Sequence, residues 1–108
     1  MGKSSRRKGA DGERELAAIL REHGHDVECG GSQTYGEVPD LVGLPGVHIE
    51  VKRVERLNVP EAMAQAIRDA ARFGGVPSLF HRRSRSPWLV TMRLTDWLEL
   101  YERAHTKP

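Results

Sequence analysis

Residues 39–54 read PDLVGLPGVHIEVKRV. Pro45–Gly46 is a turn signal, and the apolar residues on either side predict two short strands joined too tightly for anything but an antiparallel hairpin. The second strand alternates: Val47, Ile49 and Val51 face one way, His48, Glu50 and Lys52 the other. Side chains two apart on a strand share a face, so Glu50 and Lys52 project together, about 7 Å apart by the rise per residue. Asp40, on the partner strand, can reach the same face. Converging carboxylates repel one another unless a cation sits between them. Oxygen donors of this kind suit a hard divalent ion, Mg²⁺ or Mn²⁺. An ammonium beside them, Lys52, can stabilise a phosphate oxygen or orient water. Carboxylates, a metal and a lysine are the parts of a phosphodiester hydrolase. Pro-Asp alone, or Glu-x-Lys alone, reads as surface, the latter a pair worth at most about 1 kcal/mol on an exposed edge strand. Their conjunction on one hairpin favours an active site.

Outward from the hairpin, the pattern predicts a helix from Ala10 to about His23, with Leu16, Ala17 and Leu20 on one stripe and Gly24 ending it. HDVECGG predicts a short strand and SQTYGEV a loop. A second helix spans about Pro60 to Phe73, its stripe formed by Met63, Ala66, Ile67 and Ala70, with Gly74–Gly75 as the stop. VPSLFH and WLVTMRL are strands around the basic loop RRSRSP. A last helix follows, with Thr95 as N-cap and Trp97, Leu98 and Tyr101 as packing residues. The order α-β-β-β-α-β-β-α predicts an α/β domain with a mixed central sheet flanked by helices.

The first helix supplies a third carboxylate. Glu13 precedes Leu16, Ala17 and Leu20 by three, four and seven residues, which puts it on the buried stripe. Carboxylates seldom sit there without a partner. The helix N-terminus is a simpler explanation, but it serves Glu15 equally well. The stripe carries Glu13 toward the Asp40–Glu50 face.

The 108 residues make one domain with a net charge of +2, 38% hydrophobic and 30% charged. The basic residues are clustered: Lys3, Arg6, Arg7 and Lys8 in a flexible arm over residues 1–9, Arg53 and Arg56 after the hairpin, and Arg82, Arg83 and Arg85 in one loop. Such clusters suit an anionic polymer, nucleic acid in particular. No apolar run is long enough for a membrane span, and MGKSSRRKG has no apolar segment of the secretory kind. Cys29 is the single cysteine, so the protein reads as cytoplasmic and reduced, with the thiol a small buried residue. The five histidines show no zinc-ligand spacing. They read as ordinary surface residues, His48 alone sharing the Glu50 face. Trp88 and Trp97 read as core or dimer packing, and Tyr35 as local packing in its loop. No phosphate-binding glycine loop is present.

Together, Pro39–Asp40, nine intervening residues and Glu50-Val51-Lys52 resemble the PD-(D/E)XK nuclease superfamily. The preceding helix, KGADGERELAAILREHGHDVE, resembles the start of the archaeal-type Holliday junction resolvases. Gly30, Gly31 and Ser32 before Pro-Asp, and the AMAQAIRDA helix, are similar as well. The resemblance implies a restriction-endonuclease-like αβββαβ core over residues 10–108 and a Mg²⁺-dependent endonuclease, often a homodimer, on branched DNA. By position it implies Asp40, Glu50 and the Val51 carbonyl as metal ligands, Lys52 as the catalytic lysine and Glu13 completing the acidic site. Arg14 would contact DNA phosphate, Ser32 would lie on the active-site loop and Gln65 would support the site. The basic arm (Arg6, Arg7, Lys8), Arg53, Arg82, Arg83 and Arg85 would hold the DNA backbone. Flaps, nicks or duplex ends are the alternative substrates, and a non-catalytic basic DNA-binding domain is the alternative to an enzyme.

Overall fold

The structure, a computed structural model, describes residues 2–30 and 39–106, with side chains from residue 10 onward. Ser32 and Tyr35, and the side chains of Arg6, Arg7 and Lys8, lie outside the described residues. The elements follow the expected order: α1 (Gly2–Glu22), β1 (Glu28–Cys29), β2 (Leu41–Val42), β3 (Val47–Arg53), α2 (Val59–Phe73), β4 (Val76–Arg82), β5 (Leu89–Thr91) and α3 (Leu94–His105). The helical backbone of α1 begins at Gly2, not near Ala10. Lys and Arg lose little rotamer freedom in a helix, and a glycine costs only about 1 kcal/mol. With no apolar residue in this stretch, periodicity could not reveal it.

The five strands form one sheet in the order β1-β2-β3-β4-β5. The Pro-Asp hairpin is antiparallel, with Leu41 opposite Ile49. Next, β3 pairs in parallel with β4 along its whole length, from Val47 opposite Val76 to Arg53 opposite Arg82. A parallel pair needs a crossover, and α2 provides it. Asn58 caps α2: its Oδ1 accepts from the Glu61 N–H at 3.1 Å, and its amide donates to the Glu61 carboxylate at 3.3 Å. Gly74, at φ +89°, ends the helix. β5 returns antiparallel to β4.

This topology makes β3 central and buried on both faces, not an edge strand. On one face Ile49 and Val51 join Leu16 and Ala17 of α1 with Val27 and Leu41 in the core. On the other, His48 and Glu50 face α2, whose Ala62, Ala66 and Ala70 are buried. Alanines let α2 lie close to the sheet. α1 approaches equally closely at Gly12, where a Cβ would stand 2.9 Å from the Arg53 Cβ.

Three packing expectations are corrected. Cys29 is exposed, because the two-residue β1 is an edge strand with both side chains in solvent. The N-cap of α3 is Arg93, and Thr95 lies inside the first turn. Trp97, Leu98 and Tyr101 are exposed rather than packed in the core of this chain.

Candidate active site

Asp40 stands at the mouth of the hairpin. Its Oδ2 accepts from the Val51 N–H at 2.8 Å, and its own N–H donates to the Ile49 carbonyl at 3.2 Å. The carboxylate is therefore fixed against the backbone of β3, next to the peptide expected to supply a carbonyl ligand. Its carbonyl accepts from the Gly30 N–H at 2.7 Å, so the two ends of the segment 31–38 meet beside it.

Glu50 is 4% exposed. Burial, and secondarily the Asp40 charge, push its carboxyl up to about 7, against the pull of Lys52. Glu13, half-buried on α1, is pushed up to about 7 as well, by burial first and then by Asp40. Asp40 is raised by burial, opposed by the Val51 N–H, Lys52 and His48. Glu13 and Glu50 each feel the Asp40 charge, and Glu50 feels that of Glu13. The Asp40 charge thus couples to both of the other carboxyls and marks a candidate site. Lys52 stands at its edge, Nζ 3.9 Å from Glu50 Oε2. Gln65 meets Lys52 in a groove of about 250 Å³, with Asn58, Glu61 and Ala62 also lining it.

The donor set fits a hard divalent cation. Three carboxyls held out of water resist ionising together, and an ion bound among them would remove that penalty. Asp40, Glu50 and Glu13 would hold it, with Lys52 alongside but unable to ligate.

Comparison with known proteins places the chain in a family. The sequence profile described as archaeal Holliday junction resolvase (Hjc) matches residues 4–106. The chain belongs to the archaeal Holliday junction resolvase family. Among solved structures it is similar to Hjc of Archaeoglobus fulgidus, a Holliday junction resolvase from an archaeal hyperthermophile. The two share 22% identity and a TM-score of 0.55, over 77% of this chain and 75% of that one. No curated protein matches the chain.

Within this Hjc-family fold, two arginines expected on DNA lie against Glu15. Arg53 has the parity of Val51, so it points to the α1 face, away from Lys52. There it lies 3.9 Å from Glu15, while Arg82 of the neighbouring strand donates to Glu15 at 2.8 Å. The Trp88 indole donates to the same carboxylate oxygen at 2.9 Å. Glu15 is thus a tie between α1, the two central strands and the basic loop. Arg83 and Arg85 remain exposed, Arg83 donating to the Ser86 hydroxyl at 3.3 Å. Arg14 makes an exposed pair with Asp11 at 3.0 Å, weak enough to exchange for a phosphate. Among the described residues no helix is long and apolar enough to cross a membrane.

One histidine was placed on the right face but misread as exposed, and one aspartate was missed. His48 is not a surface histidine: it is 1% exposed, its Nε2 3.7 Å from Glu50 Oε1. Asp69 on α2 joins it, and one ligand atom from each of His48, Glu50 and Asp69 lies within 4.8 Å of the others. The signal was legible. Asp69 follows Ala62 by seven residues and Ala66 by three, the same stripe logic that singled out Glu13.

Proposed function

We propose that this chain is a Mg²⁺-dependent, structure-selective endonuclease that resolves four-way DNA junctions as a homodimer inside the cell. What supports this reading is the match to the archaeal Holliday junction resolvase family, together with the Asp40 charge felt by both Glu13 and Glu50 and Lys52 lying 3.9 Å from Glu50. When bound, Mg²⁺ supplies positive charge that polarises the scissile phosphate and acidifies water. The chain's own residues do the rest. Asp40, clamped by the Val51 N–H, and the buried Glu50 give a rigid anionic cradle. Glu13 brings a third carboxylate from another element. Lys52, 3.9 Å from Glu50, can donate to the non-bridging phosphate oxygens as charge develops on them. Arg14, Arg83 and Arg85 would grip the backbone without reading bases.

Paired cuts need two such sites, and α3 offers the means. Leu94, Trp97, Leu98 and Tyr101 recur at the helical period, yet all four are exposed, Leu94 at 69%. Trp97 stacks on Tyr101 with centroids 5.3 Å apart. Leu89 and Val90 of β5 are exposed too. Uncovered apolar stripes of this kind mark interfaces, and a second copy burying the same stripe would give a two-fold dimer.

The test is cleavage of a synthetic four-way junction beside a linear duplex of matched sequence, with Mg²⁺ or EDTA. Symmetric paired nicks confined to the junction and dependent on Mg²⁺ are expected. Asp40→Asn should bind the junction but not cut it. Cutting by that variant, or without a divalent ion, overturns the assignment, and equal cutting of the duplex overturns the junction substrate. Sedimentation of the wild type as a monomer at assay concentration would refute the dimer.

A further inference from the structure

The proposed Mg²⁺ site uses one side of Glu50. The other side faces a cluster that this reading leaves without a task. Glu50 Oε2 is turned to Lys52, whereas Oε1 is turned to His48 Nε2 at 3.7 Å. His48 is 1% exposed, and among the described residues neither of its ring nitrogens has a hydrogen-bond partner. A buried imidazole without partners forfeits on the order of 1–3 kcal/mol per unsatisfied group, so an unbonded one calls for an explanation. Asp69 reaches in from α2, and its carboxylate completes a set of three donors within 4.8 Å.

We propose that His48, Glu50 and Asp69 form a second cation site, on the α2 side of β3, that takes a first-row transition ion such as Zn²⁺ or Mn²⁺ in preference to Mg²⁺. Selectivity follows from the ligands. Imidazole suits borderline ions, while Mg²⁺ favours an oxygen shell and retains its waters. A tetrahedral ion with bonds near 2.1 Å separates its donors by about 3.4 Å. The His48–Glu50 spacing of 3.7 Å is close to this, and rotation of the Asp69 side chain, at the end of a helical residue, can close the remainder. Glu50 would then be the one residue common to both sites, its Oε1 facing His48 and its Oε2 facing Lys52. His48 sits on the same strand face as Glu50, two residues away, and Asp69 on the helix packed above it, so the site needs no rearrangement of backbone.

The experiment is calorimetric titration of the full chain with ZnCl₂ and, separately, MgCl₂, with circular dichroism as a check of fold. ¹⁵N NMR of the imidazoles reports ligation directly. Zn²⁺ should shift the His48 ring nitrogens and Mg²⁺ should not. His48→Asn and Asp69→Asn should each weaken Zn²⁺ by more than the roughly 10–100-fold that loss of an outer-shell partner costs, and leave Mg²⁺ affinity unchanged. Asp40→Asn should do the reverse. Asp69 is only half-buried, so its variant keeps the test open if His48→Asn fails to fold. The proposal is overturned if wild type binds no Zn²⁺, if both variants bind it as tightly as wild type, or if Asp40→Asn abolishes Zn²⁺ and Mg²⁺ binding together. Failure to cut junctions would refute the nuclease reading and leave these binding results standing.

Discussion

Glu50→Gln should make the metal-free protein more stable while abolishing its cleavage. Glu50 is buried and its carboxyl is raised from 4.5 to about 7. A raised folded value means the native state binds a proton that the unfolded chain releases. The stability contributed by the neutral carboxyl is therefore fully present below pH 4.5 and is lost as pH rises toward 7. At 1.36 kcal/mol per unit, the loss by pH 8 is on the order of 3 kcal/mol, the upper bound because Asp40 and Glu13 titrate in the same cluster. Glutamine is near in shape and never ionises. Urea melts in EDTA should find Glu50→Gln close to wild type at pH 4.5 and more stable by about 1–3 kcal/mol at pH 8. For a domain this size each kcal/mol moves Tm by roughly 4–8 °C. Saturating Mg²⁺ should narrow the gap, since wild type alone binds the ion fully. An equal effect of the substitution at both pH values, or a variant less stable at pH 8, would refute the account of Glu50 as a strained carboxylate held for a cation.

Other outcomes follow from the same structure. Glu15→Ala strips Arg82 and Trp88 of a shared acceptor and should cost about 1–3 kcal/mol, with a change in Trp88 fluorescence. Gly12→Ala puts a Cβ 2.9 Å from the Arg53 Cβ. Backbone must move there, so thermal melts should show a loss of about 1–3 kcal/mol and α1 should carry Glu13 away from the site. Arg83→Ala with Arg85→Ala should weaken junction binding and lower the slope of log K against log salt by about 1 per lost contact, leaving the Mg²⁺ requirement unchanged.

The hairpin was legible because alternation and a Pro-Gly turn are local facts. Strand parity alone grouped His48, Glu50 and Lys52, and helical spacing alone brought Glu13 to a buried stripe. The same arithmetic, applied to the residue after Lys52, separates Arg53 from the site and sends it to Glu15. What the patterns could not supply is the element lying opposite. Spacing could put Asp69 on the buried stripe of α2, but only the parallel pairing of β3 and β4 set that stripe over His48. The stripe on α3 was read correctly as apolar, but the sequence could not show that no described residue of the chain covers it.

Local spacing, then, determined which side chains share a face, where helices stop and which residues could act as ligands. Tertiary structure decided which faces meet: that Glu50 and His48 are buried against α2, that β3 is buried on both sides, and that His48 has no hydrogen-bond partner among the described residues. The reason is physical. Periodicity follows from the geometry of one element, whereas burial and the proton affinities it shifts depend on neighbours brought close only by the folded topology.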